Sequence, residues 1–103
     1  LLFTYWNFKG FNKRNKRDKM TAQLANDLEK QYPDLNFRNH CYLRIAYDNV
    51  LFAKWDTVVN RPFTKNANQE QINFANFLLT MYIKDKHLLL EHNRISLTFR
   101  NKI

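Results

Sequence analysis

Three groups of side chains in this sequence have types and spacings that bear on chemistry. Arg44, Asp48 and Asn49 sit inside the most apolar stretch of the chain. Arg44 and Asp48 are four residues apart, which puts them on one face of a helix. Burying such groups is costly unless they are paired. The spacing therefore predicts either an internal ion pair that fixes helix packing, or a polar pocket floor, with Tyr47 and Trp55, that holds a ligand or partner group. The second group is His87, Glu91 and His92. His87 and Glu91 share a helix face, but His92 points elsewhere, and the zinc pattern of two histidines four apart with a glutamate between them is absent. The third is Cys41 beside His40. Sequence neighbours on a helix diverge by about 100°, so they do not form a nucleophile–base pair, and Cys41 reads as core. Gly10 is the only glycine, which leaves no phosphate-binding loop. No catalytic residue, metal or cofactor is expected.

The charge points towards a partner. The net charge of the 103 residues is +8, and most of it lies at the start. Residues 1–19 hold Lys9, Lys13, Arg14, Lys16, Arg17 and Lys19 against Asp18 alone, and residues 20–103 carry 11 basic and 8 acidic side chains. In the first segment Trp6, Lys9, Lys13, Arg14, Lys16 and Arg17 interleave with Phe8 and Phe11, a pattern that suits stacking on bases and pairing with phosphates. Arg61, Lys65, Arg94, Arg100 and Lys102 are candidates to extend that surface. The sequence changes character at Met20, so residues 1–19 are read as a basic aromatic arm, or as an extension outside the native protein, with 20–103 as the helical domain. Beyond the arm nothing demands a polyanion. The leading expectation is a small protein-binding or structural accessory module with an unknown protein partner, and nucleic-acid binding through the arm is the alternative. An interaction module should keep an exposed apolar patch within residues 63–83.

The elements that must position these groups are helices. One glycine and two prolines leave few turn-makers, whereas 45% hydrophobic residues can form a core. The fold class expected is all-α, a single-domain bundle of about four helices. Leu24, Ala25, Leu28 and Tyr32 make one face of a helix over 20–32, stopped by Pro33. Asn39 is expected to cap a helix over 40–58 that is apolar nearly all round, hence central; a strand over Tyr42–Tyr47 is the minor alternative. Asn60 to Asn66 reads as a loop. Asn68 with Gln71 suggests a capping box for a helix over 68–83. That helix carries two apolar faces, Ile72, Ala75, Leu79, Tyr82 and Ile83 on one, Phe74, Phe77, Leu78 and Met81 on the other, so neighbours are expected on both sides. Asp85 caps a last helix over 86–97 with Leu88, Leu89, Leu90 and Ile95 inward, and residues 100–103 fray. The lone cysteine excludes an internal disulfide and fits a cytoplasmic setting, and no apolar run reaches the ~20 residues of a membrane span.

Overall fold

The computed structural model describes residues 13–102. Its elements, in chain order, are α1 (Lys13–Gln31), α2 (Asn39–Leu51), a 3-10 turn (Trp55–Thr57), the short α3 (Phe63–Asn66), α4 (Gln69–Lys84) and α5 (Lys86–Phe99). The architecture is all-helical, 75% helix, with no strand among the described residues. No described helix is long and apolar enough to cross a membrane. α4 packs on both α1 and α2, and α2 also packs on α1 and α5. The core follows from that arrangement: Leu28 of α1, Tyr42, Ile45 and Ala46 of α2, Ile72, Leu79 and Tyr82 of α4 and Leu89 of α5 are fully enclosed. Tyr32 ties α1 to the end of α4 by donating its hydroxyl to the carbonyls of Tyr82 (2.7 Å) and Ile83 (3.1 Å).

Several helix ends obey local chemistry. The Asn68 side chain accepts from Gln71 N–H (2.8 Å) while Gln71 Oε1 accepts from Asn68 N–H (2.9 Å), a reciprocal capping box that satisfies two orphan donors of α4. Asp85 accepts from Leu88 N–H (3.0 Å) and starts α5 directly after α4.

Elsewhere the structure departs from the pattern of the sequence. α1 includes residues 13–19, within the segment read as an arm, because they are unbroken by glycine or proline and run continuously into the Met20–Gln31 helix. Asn39 is the first helical residue of α2 rather than its cap; Arg38 takes that position, and the Asn39 amide donates to Asn26 Oδ1 (2.9 Å) instead. α2 ends at Leu51, well short of 58, where Phe52 turns left-handed (φ 53°, ψ 42°) and donates its N–H back to the Asp48 carbonyl. The chain then enters the 3-10 turn, passes a cis Arg61–Pro62 bond and forms α3 within the span read as a loop. Phe63 of α3 stacks on Tyr47 of α2 with ring centroids 3.7 Å apart, which is what holds this short helix in place. Of the residues expected inward in α5, Leu89 is fully buried but Leu90 is exposed, since three consecutive leucines cannot share one helix face.

Phe52 occupies a region of backbone space that L-residues with a Cβ enter at a cost, and the residue is 76% exposed, so little packing offsets that cost. Replacing it by glycine should raise stability by roughly 1 kcal/mol. Urea denaturation measures this, and a lower midpoint for Phe52→Gly would show that the exposed ring contributes more than its backbone costs.

Candidate functional site

The side chains singled out in α2 converge on α5. Asp48 has no solvent exposure and accepts four hydrogen bonds. Two come from Arg100, through Nε to Oδ2 (2.7 Å) and Nη2 to Oδ1 (3.0 Å). The others come from the Ser96 hydroxyl to Oδ2 (2.6 Å) and from the backbone N–H of Trp55 to Oδ1 (2.9 Å). Arg44 does not touch Asp48. Its Nη1 donates to Ser96 Oγ (2.6 Å) and its Nη2 to Asn93 Oδ1 (2.9 Å), so Ser96 relays between the arginine and the carboxylate by accepting from one and donating to the other. Asn49 completes the seam, its amide donating to the carbonyls of Ile45 (2.8 Å) and His92 (3.0 Å).

Arg100 stands where the chain was expected to fray, and its side chain is only 17% exposed. The two bonds to Asp48 hold its guanidinium above the ordinary arginine value, chiefly through the hydrogen bond and against desolvation. Arg44 is shifted the other way. Burial is the main cause and the nearby Arg100 adds to it, partly opposed by the negative charge of Asp48.

These groups open on a cleft of about 300 Å³ whose walls include His40, Arg44, Arg61, Arg100, Tyr47 and Trp55. An adjoining hollow of about 340 Å³ lies between α1, α2 and α3 and shares Leu43, Tyr47, Trp55 and Arg61 with it. Trp55 is buried, meets Tyr47 and Phe63 edge-on, and carries Arg61 over its ring at 4.9 Å. Arg61 also pairs with Asp56 at 2.8 Å.

The second candidate feature lies across the molecule. Of the two apolar faces of α4, the one bearing Ile72, Ala75, Leu79 and Tyr82 is covered by α1 and α2. The other remains largely open: Phe74 is 44% and Phe77 57% exposed. Only Leu78, at the border of that face, is buried.

The histidine groups separate. His87 and Glu91 are exposed, and Glu91 is held by Arg94. His92 turns inward, its Nδ1 2.6 Å from the Tyr82 hydroxyl. Among the described residues no three His, Cys, Asp or Glu side chains are close enough to share a metal ion, and Cys41 is half-buried on α2. Of the nucleic-acid candidates, Trp6 and Lys9 lie outside the described residues, and Lys13, Arg14, Lys16 and Arg17 fall in the first turns of α1. Ser96, Asn93 and Arg100 were not singled out as partners of Asp48, yet a signal for them exists: Leu89, Asn93, Ser96 and Arg100 recur at helical spacing along one face of α5, so its buried stripe turns polar.

No family model matches the chain, and comparisons with curated proteins and with solved structures find no match.

Two substitutions test this geometry. Asp48→Ala leaves Arg100 facing a void and should destabilise by ~3 kcal/mol or more, whereas Ser96→Ala should cost about 1–2 kcal/mol, because Arg100 still holds the carboxylate. Equal losses in chemical denaturation would contradict the ranking. The His92–Tyr82 contact predicts a pH effect. Burial lowers the pKa of His92, so the unfolded state binds the extra proton. Stability is then complete above the unfolded histidine value of about 6.5 and falls as the pH drops through that value towards the folded one. Thermal melting between pH 7.5 and pH 5, at roughly these bounds of the histidine range, should show the decline in the parent chain and a flatter profile in His92→Asn. A parallel decline in both would place the titration elsewhere.

Proposed function

We propose that this domain is a protein-interaction module that docks a helix along the outer face of α4, and that the helix it docks is α4 of a second copy. The observation that carries this reading is the stripe Glu70, Phe74, Phe77, Met81, Lys84. Its alternating spacing of four and three keeps every member on one face, within a narrow arc opposite the buried one. The stripe has the form of a coiled-coil seam: apolar in the middle, one acid at its start and one lysine at its end. Neither Glu70 nor Lys84 has an ion-pair partner among the described residues.

That pattern is self-complementary. Two antiparallel copies related by a twofold axis at Phe77 bring Glu70 opposite the partner's Lys84, Phe74 opposite the partner's Met81, and the two Phe77 rings together. Exposed aromatics a helical turn apart are a poor surface for a chain that works alone and a good centre for a docking patch. One helix face is small beside a standard interface of about 800 Å² per partner, so the association is of the weak, exchanging kind.

Sedimentation velocity over rising concentrations of the full chain should show reversible self-association that Phe77→Asp abolishes. Glu70→Lys and Lys84→Glu should each weaken it through like-charge contact, and an equimolar mixture of these two variants should restore it. A chain that stays monomeric throughout, or one whose association ignores these changes, overturns the second copy as occupant.

Nucleic-acid binding is the second reading. It draws on the run Lys13, Arg14, Lys16, Arg17 and Lys19, which α1 begins with. If it holds, titration against random single- and double-stranded DNA should give affinity that falls steeply with salt, and replacing Lys13, Arg14, Lys16 and Arg17 by glutamine should weaken binding and flatten the slope. Absence of binding at low salt removes it.

A further inference from the structure

Three arginines converge on the cleft between α2 and the end of α5, and they differ in what neutralises them. Arg100 is matched by Asp48 in a two-bond ion pair. Arg61 is matched by Asp56 and lies over Trp55. Arg44 makes no ion pair among the described residues: its hydrogen-bond partners are the neutral Ser96 hydroxyl and Asn93 side-chain carbonyl oxygen, and the Asp48 carboxylate attracts it only through space. The one buried carboxylate nearby stands behind Ser96 and is already taken up by Arg100.

A guanidinium has five N–H donors, and Arg44 spends two on these bonds. The remaining donors suffice for the two-pronged grip that arginine makes on an oxyanion. Its position favours such a ligand on electrostatic grounds as well. The charge is half withdrawn from water and stands near Arg100, with Arg61 and His40 in the cleft walls, so an anion entering here meets a surplus of positive charge in a partly dehydrated site.

The shape narrows the ligand. About 300 Å³ is at the small end for a ligand site. Trp55 is buried, with Arg61 over one face of its ring and Tyr47 and Phe63 packed against it at steep angles, so it offers no open platform for a stacked base. The cleft therefore suits a compact group rather than a nucleobase. We infer that the cleft walled by His40, Arg44, Arg61 and Arg100 is a binding site for a phosphate group, free or carried as the ester of a small molecule, with Arg44 as its principal ligand. It is separate from the α4 stripe and does not depend on the docking reading.

The test must read the cleft locally, because the lysines and arginines near the start of the chain attract any polyvalent anion. In the ¹⁵N-labelled full chain, the side-chain Nε–Hε resonance of Arg44 and the indole N–H of Trp55 are followed during titration with inorganic phosphate, with glycerol phosphate, and with sodium chloride at matched ionic strength. Saturable shifts with either phosphate but not with chloride support the site, and tighter binding of glycerol phosphate identifies the ester as its ligand. Arg44→Gln, read at the Trp55 indole, should weaken binding roughly tenfold. Arg61→Gln, at a largely exposed side chain, should weaken it by a smaller factor, and Arg94→Gln, elsewhere on α5, should leave it unchanged. Chloride shifts equal to those of phosphate, or undiminished binding in both Arg44→Gln and Arg61→Gln, overturn the inference.

Discussion

The carboxylate of Asp48 is the constraint on which the rest of the α2–α5 half depends. Placing it beyond reach of solvent obliges the chain to supply donors for both oxygens, because an unpaired buried carboxylate costs several kcal/mol. Those donors come from three separate places: Trp55 N–H just past α2, Ser96 on α5 and Arg100 at the end of α5. The first stops α2. With Ala53 N–H reaching back five residues to the Asp48 carbonyl and Trp55 N–H drawn onto the Asp48 side chain, the backbone leaves the helix after Leu51, whatever its apolar content. The others fix the angle and register of α5 on α2. The turn so imposed brings Trp55 against Tyr47 and Phe63, which seats α3.

This explains which parts of the fold were legible in the sequence. α4 and α5 were, because their starts are written in capping residues, Asn68 with Gln71 and Asp85, whose effect is local. The end of α1 was legible from Pro33. The end of α2 was not. Residues 40–59 have a helical, nearly all-apolar pattern, and the signal that breaks it is a side chain at Asp48 capturing a backbone donor seven residues on, which periodicity does not record. α3 was missed for a related reason: four residues do not make a periodic pattern, and stacking on Tyr47 is a tertiary contact.

The polar seam was half legible. Arg44, Asp48 and Asn49 stand out because they interrupt an apolar run, and their spacing suggests a pair within α2. Across the helix interface, however, Arg100 approaches the carboxylate with two parallel N–H groups, a geometry that a neighbour on the same helix four residues away reaches less well. Asn93, Ser96 and Arg100 continue the inward stripe begun by Leu89. Two helices whose facing stripes both turn polar over the same span are complementary in sequence, and that complementarity lies between the helices, not in either one alone.

The two outward features have different physical origins, which keeps them separable. The cleft follows from the seam: once Arg100 takes Asp48, Arg44 is left with neutral partners and an unspent charge. The stripe on α4 owes nothing to the seam. Its opposite face already supplies Ile72, Ala75, Leu79 and Tyr82 to the core, whereas Phe74 and Phe77 keep much of their surface in solvent. Apolar area left in water contributes nothing to folding and favours association whenever a matching surface approaches. Changes to the stripe and to the Asp48 network involve no shared partners among the described residues, and their effects on stability should therefore add. A non-additive result would mean that α4 and α5 transmit strain through Tyr82 and His92, whose side chains are hydrogen-bonded across the two helices.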